Sequence, residues 1–81
     1  MTTVKEFFEM TKLIYNKNID IDVYPDQKNL KYFENMVYNY KNEQRIISEV
    51  FLKYANHEIA FIKSYYEDDS NTLTFYLMLS D

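Results

Sequence analysis

The sequence contains no cysteine, no tryptophan and no glycine, and has one proline and one histidine in 81 residues. Without cysteine the chain forms no disulfide, no thiolate metal site and no cysteine nucleophile. Without glycine it lacks the glycine-rich loops that cradle phosphate in P-loop and dinucleotide-binding proteins. These absences remove the common reaction centres. We therefore predict a protein that is not an enzyme, uses no cofactor or metal, and acts by binding.

The length of the chain limits its organisation. A domain of 81 residues lies near the lower limit at which burial outweighs chain entropy, so we predict a single domain over residues 1–81. Hydrophobic residues make up 47% of it, and it has nine Tyr and six Phe, so large rings must supply much of the core.

The N-terminal residues and the hydropathy predict the location of the protein. A basic segment followed by an apolar run is missing at the N-terminus, which argues against a signal peptide. Apolar stretches are much shorter than the roughly 20 residues that span a bilayer. We therefore predict a cytoplasmic protein without membrane contact.

Acidic residues are concentrated in the last third of the chain. The net charge is −4, but residues 1–57 hold eight Lys or Arg and eight Asp or Glu, whereas residues 58–81 hold one Lys and five acids. Proteins that bind nucleic acid without sequence preference neutralise phosphates with Lys and Arg. This charge balance predicts that the protein does not bind DNA or RNA directly.

The first half of the chain reads as one helix followed by two strands. Thr3 and Glu6 form a capping-box pattern, and apolar residues at steps of three and four predict a helix that ends near 15–18. Alternation of apolar and polar residues predicts a strand over 19–24. Residues 30–40 fit either a strand or a helix, and the clustered Val and Tyr favour a strand paired to the first.

The second half reads as one helix followed by a hairpin. Asn42 is a plausible N-cap for a helix over 43–55. Period-two patterns predict strands over 58–66 and 72–79, joined by the polar loop 67–71. The fold class predicted is α+β, in the order α-β-β-α-β-β, with a small antiparallel sheet and two helices packed on it.

The two strands of the hairpin carry apolar residues on both faces. If both helices cover one face of the sheet, the pattern predicts that Ile62, Tyr66, Tyr76 and Met78 stay exposed on the other, and such a patch marks an interface. If the helices take opposite faces, both faces are buried. The sequence leaves the two arrangements open.

Titratable side chains offer little chemistry. His57 is the single histidine, and its position at a predicted helix end favours a structural role, because an imidazole there interacts favourably with the helix dipole. Two acidic clusters lie on the first strand with its turn and on the hairpin loop. Solvated surfaces explain most such clusters, and partner recognition is the alternative. Their members are Asp20, Asp22, Asp26, Glu67, Asp68 and Asp69.

Tyrosines form a second candidate surface. Nine of them is a large number for so small a domain, and Tyr is favoured where a partner is met with stiff, amphipathic area. Packing in the core or at its rim explains many of them equally well. As anchors for a partner we predict Tyr65, Tyr66 and Tyr76.

Three segments together resemble a known class of protein. The run from Thr3 to Phe8, the strand from Ile19 to Tyr24 and the segment from Asn56 to Ile59 before the hairpin look like small α+β proteins encoded by phages and mobile elements of low-GC bacteria. The likeness is one of patterning over most of the chain. Among those proteins, compact acidic chains without catalytic residues are similar to anti-CRISPR inhibitors.

The resemblance implies a function in a bacterial host cell. We expect a non-enzymatic inhibitor that binds the basic surface of a nuclease or other defence effector, because carboxylates spaced along a strand and a loop can imitate a row of phosphates. The alternative is a structural or regulatory adaptor of a mobile element that associates with itself, for which a homodimer is possible.

Overall fold

A computed structural model describes residues 2–26 and 31–80 of the chain. The described part contains two short helices, a 3-10 turn after the first of them, and five strands. Along the chain these are α1 (Val4–Met10), the 3-10 turn (Thr11–Leu13), β1 (Asn18–Asp26), β2 (Lys31–Asn39), β3 (Gln44–Arg45), α2 (Glu49–Tyr54), β4 (Ile59–Glu67) and β5 (Thr72–Leu79).

The strands form one sheet in the order β3-β2-β1-β5-β4. The α+β class is confirmed, but the prediction of an antiparallel sheet is wrong, because the central strands β1 and β5 pair in parallel. The remaining pairs are antiparallel. The predicted element order is also incomplete, since β3 was missed. Which strands become neighbours depends on contacts between distant segments, and the alternation of side chains within a strand does not encode it.

Helix α1 begins where the sequence predicts and ends earlier. The Thr3 side chain accepts a hydrogen bond from the Glu6 amide, and the Glu6 carboxylate accepts one from the Thr3 amide, so the capping box is confirmed. The helix ends at Met10, short of the predicted 15–18. There the Thr11 hydroxyl donates to the Phe8 carbonyl at 2.7 Å, and such local bonds compete with the helical ladder.

The prediction of a helix over 43–55 with Asn42 as its cap is wrong in extent. Helix α2 begins after Ser48, and the residues before it form β3, which pairs with the end of β2. Glu43 adopts φ of 51° and turns the chain back. Arg45 then stacks over the Tyr38 ring, with 4.4 Å from guanidinium carbon to ring centroid. This packing outweighs the modest helix propensity of the segment.

Both helices lie on the same face of the sheet. The Phe7 ring of α1 meets the Phe75 ring of β5 edge-on at 5.0 Å, and the Phe8 ring packs on Phe51 of α2 at 5.2 Å. The buried core gathers on this face. Its members are Val4, Phe7, Phe8, Ile19, Ile21, Val23, Val37, Tyr38, Phe51, Ile59, Leu77 and Leu79.

The helices pack differently from the predicted arrangement because they are short. They are seven and six residues long, so they cover the centre of the sheet and leave its β4 edge uncovered. From Ala60 to Glu67 every residue of β4 is exposed. None of the described helices is long and apolar enough to cross a membrane.

The predicted hairpin is confirmed, and its register assigns side chains to faces. Asn71 completes the turn with φ of 52°, the left-handed region that asparagine tolerates. Ile62 pairs with Leu77 and Tyr66 with Leu73, so these two side chains share the face that carries the helices. The prediction that Ile62 and Tyr66 join Tyr76 on the opposite face is therefore wrong.

Candidate functional site

The candidate site lies on the face of the sheet that no described helix covers, which we call the open face. Strand β1 is central, and its side chains alternate, so that Ile21 enters the core while Asp20 and Asp22 point to the open face. On β2, Glu34 lies directly opposite Asp22 in the antiparallel register. Three carboxylates from two adjacent strands thus meet on one face.

Asp20 and Asp22 are buried more deeply than a surface acid normally is. Asp22 is only 7% exposed, although it has no covering helix, because neighbouring strands and their side chains enclose it. The Oδ1 atom of Asp20 is buried and accepts no hydrogen bond within the described chain. Buried carboxylates without partners are costly, and native proteins keep few of them.

The surroundings favour the neutral form of both acids. Burial, followed by the nearby charges of Glu34 and Asp20, raises the pKa of Asp22 to about 6. Burial and then Glu34 also raise the pKa of Asp20. A cation placed among these groups would reverse both effects. In the described chain the ion pair formed is between Lys12 and Glu9 on α1, away from the cluster.

Tyrosines line one side of the cluster. The Tyr24 ring stacks on Tyr32 with centroids 4.9 Å apart, and the Tyr76 ring lies 6.4 Å from Tyr24. The Tyr32 hydroxyl donates to the Glu34 carboxylate at 3.2 Å, and this hydrogen bond raises the pKa of Tyr32. Aromatic faces next to carboxylates suit a cationic ligand, which both groups attract.

A shallow cavity of about 430 Å³ opens over the carboxylates. Its walls come from β1, β2 and β5, so regular strands position it and no loop does. The residues that line it are Asp20, Asp22, Glu34, Asn35, Met36, Thr74 and Tyr76.

The structure brings together some of the predicted partner-binding residues. Asp20, Asp22 and Tyr76 surround the cavity. Tyr65 is on the open face of β4, opposite Thr74. Asp26 ends β1, but its side chain is outside the part of the chain that the structure describes.

The other predicted residues are further from the cavity. Tyr66 is on the helix-bearing face, where its hydroxyl donates to Asn71 at 2.7 Å. Glu67 ends β4, and Asp68 and Asp69 are exposed in the turn that follows. The two acidic clusters therefore do not merge into one site.

His57 lies directly after the turn that ends α2, as predicted. It is exposed, and its ring meets Tyr54 edge-on at 5.1 Å. Its backbone carbonyl accepts from the amide of Val4, which ties the start of α1 to this segment. Among residues 2–26 and 31–80, no group of three His, Cys, Asp or Glu side chains is arranged to hold a metal ion.

The sequence did not lead us to predict Glu34, Tyr24 or Tyr32 as residues of the site. A signal was present, because Tyr32, Glu34 and Met36 alternate along β2 and would share a face in any strand. What the sequence does not contain is the register that places Glu34 beside Asp22.

Comparisons with protein-family models, with curated proteins and with solved structures found no match. The function must therefore be argued from the geometry of the site.

Proposed function

We propose that this protein is a non-enzymatic inhibitor that binds a nucleic-acid-processing effector of bacterial defence through the open face. The supporting observation is the buried Asp22 beside the half-buried Asp20, whose Oδ1 atom is buried; the described chain supplies no cation to either carboxylate. An Arg or Lys from the basic channel of a nuclease would supply it.

The energetics of the site favour this reading over a solvated surface. Exposed acids interact weakly with a partner, since water screens them and their side chains must be ordered. Asp22 is already desolvated and held by strand β1. A guanidinium that binds there would be attracted by Asp22 without having to remove water from it, because folding has already done so.

The surrounding residues extend the contact beyond one charge. Tyr24, Tyr32 and Tyr76 provide stiff aromatic area beside the carboxylates, and Tyr65 provides more on β4. Glu67 at the end of β4, with Asp68 and Asp69 in the turn after it, forms a second acidic group that is placed to attract basic surface at longer range. The two groups together would imitate a short phosphate row.

The direct test is inhibition of nucleic-acid cleavage. Purified RNA-guided nucleases are assayed for DNA cleavage with rising amounts of the protein, at low and at high salt. We expect stoichiometric inhibition of a responsive nuclease, weaker at high salt because mobile ions screen the attraction. Absence of inhibition across the nucleases, or inhibition that salt leaves unchanged, contradicts the proposal.

A matched pair of variants tests the site itself. Met36 lines the cavity and its Cα pairs with Asp20, so Met36→Lys places an internal ammonium among the carboxylates. Met10→Lys is the control, because Met10 is similarly exposed, 57% against 46%, but lies on α1. We expect Met36→Lys to lose inhibition and Met10→Lys to keep it. Equal inhibition by the two variants would remove the cavity from the mechanism.

The self-associating adaptor is the second candidate, favoured by the apolar side chains that β4 leaves exposed. Phe61 and Tyr65 lie on the open face at 46% and 58% exposure. The mass in solution tests it, because a monomer at every concentration would contradict self-association through this face.

A further inference from the structure

The outer edge of β4 is free in the described chain beyond Ile59, whose amide donates to the Thr2 carbonyl. Strand β4 stands at the end of the sheet, and from Ala60 to Glu67 it pairs with β5 on one side only. It is nine residues long, it contains no proline, and its residues are exposed after Ile59. Its outward-facing backbone amides and carbonyls form a template for another strand.

The side chains of this edge are unusually apolar for exposed positions. Phe61, Ile62, Tyr65 and Tyr66 are between 41% and 58% exposed. Phe61 and Tyr65 lie on the open face, while Ile62 and Tyr66 lie on the face that carries the helices. A strand that pairs at this edge would cover apolar surface on both faces at once.

We propose that β4 pairs antiparallel with β4 of a second copy of this chain, about a two-fold axis at Ser64. The pairing joins the two sheets into one continuous sheet. It uses the strand edge and leaves the carboxylate cavity open, so it holds whether or not the open face binds an effector.

Symmetry restricts the possible registers. Residues directly opposite in an antiparallel pair point to the same face and share the same hydrogen-bonding parity. For two identical strands, opposite residues must therefore both be odd-numbered or both even-numbered. One residue of β4 must then lie directly opposite the same residue of the second copy, with the two-fold axis between them.

The side chains select among these registers. An axis at Lys63 sets the two Lys63 ammonium groups opposite each other, which is destabilising. An axis at Tyr65 leaves little of β4 overlapping, because the strand ends at Glu67. An axis at Ser64 uses the segment from Phe61 to Glu67, which lies beyond the irregularity between Ile59 and Phe61.

In the Ser64 register the opposed side chains suit each other. Each Ile62 faces a Tyr66 of the second copy, an aromatic and β-branched pair that stabilises sheets. Each Lys63 faces a Tyr65, whose ring attracts the ammonium. The two Ser64 side chains, which are small, meet at the axis. No like charges lie directly opposite within the paired segment.

The association should stop at two copies. The other end of the sheet is β3, which is only two residues long and offers no comparable edge. Both β4 edges are consumed in the pair. A closed dimer is therefore expected rather than a growing fibre.

Disulfide trapping tests the register, because the natural chain has no cysteine to interfere. Opposite Cα atoms lie about 4.5–5.5 Å apart in antiparallel pairs, within the roughly 4.4–6.8 Å that a disulfide bridges. We expect mild oxidation to link Ser64→Cys into a dimer. Ser70→Cys is the control, because Ser70 is also exposed but lies in the turn, and it should stay unlinked.

Two further variants check the pairing of neighbours. Lys63→Cys alone should not link, whereas a mixture of Lys63→Cys and Tyr65→Cys chains should give a mixed disulfide dimer. Efficient linking of Lys63→Cys by itself would overturn the Ser64 register. Circular dichroism of each variant before oxidation confirms that it is folded.

Sedimentation of the natural chain over a range of concentrations completes the test. We expect a concentration-dependent doubling of mass. A monomer at every concentration, together with unlinked Ser64→Cys, overturns the proposal. A dimer whose Ser64→Cys variant stays unlinked also overturns it and points to contact through the open face, so failure of this proposal is distinguished from failure of the adaptor function.

Discussion

Asp20 and Asp22 on β1, and Asp68 and Asp69 in the turn between β4 and β5, carry the same charged group in opposite surroundings. The first pair lies on the central strand, enclosed by its neighbours and beside Glu34. The second pair is exposed at the end of a hairpin. Both pairs have two carboxyl groups, so only their burial and their distance from a third acid, Glu34, distinguish them.

The comparison shows that the position of an acid in the sheet decides what it costs the fold. An exposed carboxylate keeps its water and affects stability little. Asp22 on the central strand loses much of its water, and no hydrogen bond from the described residues 2–26 and 31–80 is seen to replace it, so its ionisation opposes folding. Such a cost is typical of functional sites, where stability is traded for binding.

The largest effect is expected from Asp22→Asn. The folded pKa of Asp22 is about 6, above its ordinary 3.8, so the ionised group opposes folding. At pH 7 we expect the variant to gain about 2 kcal/mol in free energy of unfolding, a value reduced for residual solvent contact. Chemical denaturation measures it.

The sign of the pH dependence provides the control for this variant. Well below pH 3.8, the ordinary pKa of the group, Asp22 is protonated in both the folded and the unfolded chain, so the natural protein and Asp22→Asn should be equally stable. The gain should appear as the pH rises from 4 to 6 and stay constant above that window. A gain that is the same at pH 3.5 and pH 7 would show that ionisation of Asp22 is not its cause.

A smaller effect is expected from Glu34→Gln. Glu34 is the second cause of the raised pKa of Asp22, after burial, so its removal relieves only the charge repulsion. We expect the pKa of Asp22 to fall and the free energy of unfolding at pH 7 to rise by under about 1 kcal/mol. A pH titration of the Asp22 carboxyl carbon by NMR follows the change. An unmoved titration midpoint would contradict the coupling.

The smallest effect is expected in the turn. Replacing Asp68 and Asp69 together by Asn should change the free energy of unfolding by no more than about 0.5 kcal/mol, because exposed substitutions away from special features are nearly neutral. This variant removes two charges, whereas Asp22→Asn removes one. If the turn variant changed the free energy of unfolding more than Asp22→Asn does, the contrast between the buried and the exposed acids would be wrong.

For Asp22→Asn, the effect expected on binding has the opposite sign to the effect expected on stability. If the buried carboxylates receive a cation from a partner, Asp22→Asn should be the more stable protein and the weaker inhibitor. The two asparagines in the turn should mainly slow association, since exposed charges steer an encounter more than they hold it.

Parts of this site follow from the sequence and parts do not. The alternation of Ile19, Ile21 and Val23 with two aspartates predicts a strand with both acids on one face, and the structure confirms that strand. The pairing of Glu34 with Asp22 depends on a register that shifts at an irregularity between Ile19 and Asp20. Such irregularities are set by packing across strands and have no local sequence signal here.

Local sequence patterns determined the elements that depend on interactions between residues close together in the chain. These are the capping box that begins α1, the period-two strands and the hairpin whose turn ends at Asn71. Tertiary structure alone decided where the helices end, that β1 lies parallel to β5, and that Asp22 is buried. The reason is physical: hydrogen bonds within a turn or cap join near neighbours, whereas burial and strand order depend on segments far apart in the chain.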